Sequence, residues 1–407
     1  MIERPRGTRD FEPDEMESRK WLEDRLRKKA ENFGYREVLT PTFEHIELFL
    51  ERSGPSIVEE IYSFEDKGGR ELALRPEFTA SVMRMYSESL RGEPKPLKLF
   101  YFGPAFRYER PQSGRYREFW HFGTELIGAD TPRADAENIA LAYQCMKDLG
   151  LDDINLRISN LQILEDYLKK YDLSRDEREE LYHMIDKEET DKIEEKFDLD
   201  EEFFDLLDLP FEEVSSFVGE SSSYEHLKEV MKHLSYYDIE RSDYMIDLST
   251  VRGLDYYSGV VFEIDAERLG AQKQICGGGD YNLGDIFDID ISSKGFAIGF
   301  DRLHLALERE DKLFDKEREG CYIIPIGEKN ISYSYEVLSK LRENNLKADI
   351  DLKDRSIGKA IGFADKAGFK YSIIIGEEEV KNEEIALKDM ESGEQESVEK
   401  EEIIGAI

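Results

Sequence analysis

Two apolar runs, residues 99–106 and 118–128, stand on either side of a short segment crowded with arginines, and any fold for this chain must accommodate that arrangement. Each run has the length of a strand. Pro111-Gln112-Ser113-Gly114 supplies turn chemistry between them, so the stretch predicts two antiparallel strands joined by a basic loop. Between Phe106 and Arg117 the loop places Arg107, Arg110, Arg115 and Arg117 against Glu109 alone, in a chain of formal charge −36. Guanidinium groups clustered in an otherwise acidic protein point to a bound polyanion. Strand alternation puts Phe119, His121, Gly123 and Glu125 on one face and Trp120, Phe122, Thr124 and Leu126 on the other. The second face reads as core. The first offers an aromatic plate, an imidazole, a gap without a side chain and a carboxylate, which suits a small ligand lying on a sheet.

The remaining chain surrounds this hairpin with alternating elements. Residues 14–33 carry Met16, Leu22, Leu26, Ala30 and Phe33 at helical spacing, and Gly34 ends the run. YREVLTPTFEH follows as a strand with Pro41 inside it, which marks an edge or an interface. Short strands at 60–64 and 71–74 flank a Lys67-Gly68-Gly69 turn. The second leads into Glu77-Phe78-Thr79 and a helix from about Ala80. A helix spans residues 131–149 and a strand 155–158. From 161 to 220 the composition shifts to 22 acidic and 7 basic residues, in helical patterns broken by Pro210. The β pattern resumes at Tyr244, continues through Gln274–Tyr281, and ends in a glycine-flanked strand at 295–300 that enters a helix. From about Gly320, strands and helices alternate over some 88 residues and predict a compact, mostly parallel α/β domain.

Several classes are set aside by composition. No apolar run has membrane length, and the N-terminal MIERPRGTRDF lacks the pattern of a signal peptide. Cys145, Cys276 and Cys321 form no CxxC pair, so neither a disulfide framework nor a zinc site is expected. The chain reads as cytoplasmic. Its charge argues against indiscriminate nucleic-acid binding, and any RNA partner has to meet confined basic patches.

FRYERPQSGRYREFWHFGTE resembles motif 2 of the class II aminoacyl-tRNA synthetases, in the histidyl form FRxERPQxGRxRxF. VRGLDYYSGVVFE resembles the RGLDYYxGxVFE segment peculiar to histidyl-tRNA synthetases and their paralogues, and GFAIGFDRL resembles motif 3. The first helix with its proline-bearing strand is similar to motif 1, which builds a homodimer interface in that class. The resemblance implies an α+β fold: a class II antiparallel-sheet catalytic core with a helical insertion, plus a C-terminal α/β anticodon-binding domain. The boundaries expected are 1–159 and 241–317 for the core, 160–240 for the insertion and 318–407 for the anticodon-binding domain.

The resemblance further implies a histidine–tRNA ligase that makes histidyl-adenylate from histidine and ATP with Mg²⁺, then transfers the histidyl group to tRNA(His). Arg107 and Arg252 bracket the α-phosphate as the catalytic pair. Arg115 and Arg302 hold the outer phosphates, Phe119 stacks on adenine and Glu109 accepts from its amino group. Glu77 and Thr79 take the histidine ammonium beside Phe78, where the family usually has glycine or another small residue. Glu125 and Tyr257 take the imidazole, with Tyr256 completing the pocket. Gln112 meets the acceptor end of the tRNA, and Arg355 and Lys359, with Lys366, contact RNA in the last domain. The family's usual GGRYD becomes Gly278-Gly279-Asp280-Tyr281, without the arginine, and Asp280 receives no role. His121 stands where the family typically has glutamine; a neutral imidazole conserves the hydrogen bonding, whereas a protonated one repels the substrate ammonium. The alternative is a histidine-sensing paralogue resembling the regulatory subunit of ATP phosphoribosyltransferase, a type that lacks the last domain.

Overall fold

The computed structural model describes residues 2–50, 60–110, 114–187, 189–219, 221–251, 257–314 and 316–407. Gln112, Arg252 and Tyr256 lie outside the described residues. The chain divides into two compact units, Met1–Leu313 and Phe314–Ile407.

In the first unit the opening helix is Pro13–Asn32, with Pro13 at its first position and Leu22, Leu26 and Ala30 buried at four-residue spacing. The single strand expected next is in fact two, β1 (Arg36–Glu37) and β2 (Phe43–His45), which join different sheets. Between them the Arg75 guanidinium takes the carbonyls of Thr40 and Pro41 at 2.9 and 3.1 Å. A side chain thus satisfies the backbone where proline interrupts the ladder. Strands β3 (Ser63–Glu65) and β4 (Glu71–Leu74) complete a small sheet in the order β2-β4-β3.

The main sheet adds β5 (Leu97–Phe106), β6 (Glu118–Ile127), β7 (Ile154–Asn160), β8 (Tyr244–Ile246), β9 (Tyr257–Ala266), β10 (Gln274–Tyr281) and β11 (Ser293–Gly299). Its order among the described residues is β1-β5-β6-β11-β10-β9-β7-β8. The inner pairings are antiparallel, and the outermost pairs, β1 with β5 and β7 with β8, are parallel. The predicted hairpin is present: β5 and β6 pair from Leu97↔Ile127 to Phe106↔Glu118. Phe122 and Leu126 on β6 face a core shared with Leu22, Leu26 and Ile139 from the helices Pro13–Asn32 and Pro132–Asp148. Strand β11 lies beside β6 and runs into the helix Phe300–Arg309, so the basic hairpin and the third motif are neighbours.

The acidic segment between β7 and β8 is helical from Leu161 to Ser235. Side-chain caps at Asn160, Ser174, Asp200 and Ser221 start four of its helices, which helps so charged a stretch remain ordered. No helix among the described residues is long and apolar enough to cross a membrane.

The second unit contains β12 (Cys321–Pro325), β13 (Ala348–Ile350), β14 (Tyr371–Ile375), β15 (Glu384–Asp389) and β16 (Gln395–Glu399) in the order β13-β12-β14-β15-β16. The first three are parallel and the last two antiparallel, so the sheet is mixed and not mostly parallel. Strand β16 (QESVE) is largely exposed and carries no apolar alternation, which hid it in the sequence.

Candidate active site

Strands β5, β6, β9, β10 and β11, with the start of the helix Thr79–Met85, enclose a cavity of about 560 Å³. Glu77, Phe78, Thr79, Arg107, Glu109, Arg115, Phe119, His121, Glu125, Tyr257 and Arg302 all line it. These residues come from five separate stretches of sequence, and the sheet order brings them together.

One end of the cavity is built around a buried carboxylate. Glu125 is 1 % exposed. The absence of a side chain at Gly295, its partner on β11, makes room for it, since a Cβ there would overlap Glu125 Oε2. The gap expected at Gly123 is not open for ligand: Tyr101, its partner on β5, fills it with its hydroxyl. Burial, with the Glu77 charge adding, pushes the Glu125 carboxyl up to about 8, although the hydroxyls of Tyr281, Thr79 and Tyr101 pull the other way. Its Oε2 has no hydrogen-bond partner among the described residues. A buried, unsatisfied acceptor facing a cavity is costly unless a ligand completes it.

Glu77 lies beside it with its carboxylate turned onto backbone. It accepts from the N–H of Thr79 and, at 3.0 Å, from that of Ala80. The helix is therefore capped by Glu77, and the Thr79 hydroxyl sits among the polar groups of Glu77, Tyr101 and Glu125. Phe78 is wholly buried, stacked on Tyr101 at 4.4 Å with an interplanar angle of 7° and lying under the Arg75 guanidinium at 3.9 Å. The bulky residue occupies space above Gly103 and stiffens the tyrosine that serves the pocket.

The other end is cationic. Arg107 donates from Nε to the Pro76 carbonyl at 3.1 Å, and its guanidinium lies 5.3 Å from the Phe119 ring centroid. Arg302 is anchored by the carbonyls of Gly114 and Gln274 and by Gln272 Oε1, at 3.1, 2.9 and 3.0 Å. Burial and the neighbouring Arg115 and Arg107 charges bring Arg302 down to about 10, so it stays protonated while the site accumulates positive potential. Asp301 locks the helix to the hairpin: it accepts from the Trp120 N–H at 2.8 Å and pairs with Arg9 and Arg19 at 2.6 and 2.8 Å.

The arginines of the basic loop differ in where they sit. Arg110 is exposed and Arg117 lies over the Tyr108 ring at 3.8 Å, so neither lines the cavity. Glu109 and Arg115 are ion-paired with each other, so a nucleotide that uses either must open that pair.

A family profile described as histidyl-tRNA synthetase matches residues 7–303, and one described as an anticodon binding domain matches 320–407. The chain belongs to the histidyl-tRNA synthetase family. It is 45 % identical to the histidine–tRNA ligase of Archaeoglobus fulgidus, over 100 % of this chain and 99 % of that one. It is 41 % identical to that of Methanosarcina acetivorans, over 100 % and 98 %. The apo histidyl-tRNA synthetase of S. aureus superimposes with a TM-score of 0.79 at 32 % identity, covering 100 % and 99 % of the two chains.

Within this histidyl-tRNA synthetase fold, His121 is half-buried beside Phe119 with its ring edge-on at 4.9 Å, and its buried Nδ1 has no partner among the described residues. Burial and the charges of Arg107, Arg302 and Arg75 hold the imidazole down to about 3. It is therefore the neutral donor and acceptor, and the repulsive protonated form is excluded at working pH. The pH profiles of histidine-dependent ATP–pyrophosphate exchange for wild type and His121→Gln are expected to superimpose from about pH 5 to about pH 8. A low-pH limb present only in wild type would contradict this.

Sequence reasoning missed Tyr101, Asp301 and Tyr281. The first was legible in principle, because pairing a tyrosine opposite a glycine on the ligand face predicts that the ring covers the gap. In the second unit Arg355 is tied to Asp351 with its guanidinium 4.3 Å over Phe363, while Lys359 and Lys366 are exposed on the helix Ile357–Lys366.

Proposed function

We propose that the cavity activates histidine with ATP and that the chain is a histidine–tRNA ligase, forming histidyl-adenylate and then charging tRNA(His). The observation that carries the amino-acid assignment is the unsatisfied Glu125 Oε2, buried opposite a cluster of arginines. An imidazole N–H completes that acceptor, and Tyr257 supports the ring from β9. Glu77 and Thr79 take the ammonium, beside Phe78. Arg107, with Arg252, neutralises the α-phosphate as the histidine carboxylate attacks it and the bond to the departing pyrophosphate breaks. Arg302 holds the outer phosphates together with Arg115 once its pair with Glu109 opens, and Phe119 stacks on adenine.

Adenylyl transfer needs alignment and charge neutralisation and no covalent protein intermediate, which suits a site of arginines without a nucleophile. Mg²⁺ enters as part of the nucleotide substrate, carried by its phosphates. The adenylate then meets the terminal ribose of the tRNA, with Gln112 at the acceptor end and Arg355, Lys359 and Lys366 in the anticodon-binding domain. The 320–407 match argues against a regulatory paralogue, because that type lacks the domain. Charging of tRNA(His) with labelled histidine tests the assignment: stable charging is expected, and exchange activity without charging contradicts it.

We place the enzyme in the cytoplasm as a homodimer. Leu39, 75 % exposed between β1 and β2, and Phe43 and Phe64, whose rings meet edge-on at 6.2 Å on the small sheet, are large apolar side chains left at the surface. Light scattering is expected to give twice the 47.4 kDa chain mass. A monomer at micromolar concentration contradicts the dimer.

A further inference from the structure

A second charged group lies behind the amino-acid wall. Lys294 on β11 is 1 % exposed and pairs with Asp135 of the helix Pro132–Asp148 and with Asp280, its cross-strand neighbour on β10, at 2.9 Å. His226, from the helix Ser222–Ser235 of the acidic segment, places Nε2 2.7 Å from Asp135 Oδ2. Asp280 Oδ2 in turn accepts the Val260 N–H at 3.0 Å, three residues along β9 from Tyr257. Lys294 also precedes Gly295, the residue whose missing Cβ admits Glu125 and whose carbonyl takes Asn138 Nδ2 at 3.2 Å.

The arrangement is costly and directional. Burial and the Asp135 charge raise Asp280 well above the usual carboxylate range. Asp135 is held below it, against its own burial, by His226 and Lys294. One ammonium and one carboxylate thus balance in the interior, and each link has one geometry. A fold needing only cohesion is served as well by apolar residues. What these charges add is a fixed register between the acidic helices, β11 and the first residues of β9.

We propose that His226, Asp135, Lys294 and Asp280 form a positioning relay through which the helical segment between β7 and β8 sets the amino-acid wall of the pocket. None of the four touches substrate; they act through Val260 and Gly295 on Tyr257 and Glu125. The proposal rests on the histidine assignment made above.

His226→Ala, half-buried and remote from the cavity, tests it by steady-state exchange kinetics. KM for histidine is expected to rise about fivefold, the scale of coupling through a packed network, with kcat and KM for ATP within about twofold. His226→Gln, which keeps a nitrogen donor in reach of Asp135, is expected to restore KM. Asp280→Asn keeps an acceptor for Val260 but turns a donor toward Lys294, and is expected to raise KM for histidine as well. A lower melting temperature with unchanged KM for histidine overturns the relay and leaves only a structural role. Equal rises in both KM values overturn it too, as a general loosening of the site. Wild type without histidine-dependent exchange overturns the functional assignment instead, so the two failures are distinguishable.

Discussion

Replacing Arg107 by alanine is expected to lower kcat for histidine-dependent exchange by about 10²- to 10³-fold, the usual loss when one preorganised charge donor is removed from a developing anion. Arg107 stands between the two halves of the cavity, with Pro76 and Glu77 on one side and Phe119 on the other. Its Nε bond to a backbone carbonyl fixes the fork before any ligand arrives, so little reorganisation remains for the reaction. Arg107→Lys is expected to recover little, because an ammonium cannot both hold the Pro76 carbonyl and present a planar pair of donors. Rapid-quench measurement of adenylate formation checks this. A variant that raises only KM for ATP, with the chemical step intact, would assign Arg107 to nucleotide binding alone.

Glu125→Gln is expected to separate stability from function. Folding raises this carboxyl to about 8 from an ordinary value near 4.5, so the folded state binds its proton more tightly than the unfolded one. The stability linked to that proton is complete below about pH 4.5 and is lost as pH rises through about 8. A permanently neutral amide escapes this loss. The ligand-free variant is therefore expected to melt at the same temperature as wild type near pH 4 and higher near pH 8, by calorimetry.

Histidine affinity moves the other way, with KM rising about 30-fold, because an amide cannot share a proton with the imidazole as the carboxyl does. With one proton shared between Glu125 and the imidazole, KM for histidine in wild type is lowest between about pH 6.5 and about pH 8. Below that window the free imidazolium must shed a proton, and above it the pair must gain one. Glu125→Gln is expected to lose the upper limb. An unchanged melting curve at pH 8, or an unchanged KM, would contradict the buried neutral acid.

The hairpin strands and the polar face of β6 were legible because period-two alternation over ten residues fixes which side chains share a face. The third motif was legible for a similar reason, a glycine-flanked strand entering a helix. Pairing between distant segments was not. Nothing near Gly123 announces that Tyr101 fills its gap, which depends on the β5–β6 register. Glu77 caps the helix from two residues before its start, through a side chain one methylene longer than the usual aspartate cap. Glu109 and Arg115 neutralise each other across the loop. Lys294, in SSKGFAIG, reads as a surface residue until β10 and the helix Pro132–Asp148 close over it. These are choices made by tertiary packing among groups that local pattern leaves equivalent.

The central claim is that one cavity joins an imidazole acceptor at Glu125 to an adenylating pair of cations at Arg107 and Arg302. ATP–pyrophosphate exchange measured with each of the twenty amino acids in turn tests it most directly. Exchange with histidine alone, lost in Arg107→Ala and shifted to higher histidine in Glu125→Gln, is the predicted result. Exchange driven by another amino acid, or histidine-dependent exchange indifferent to Glu125, would contradict it.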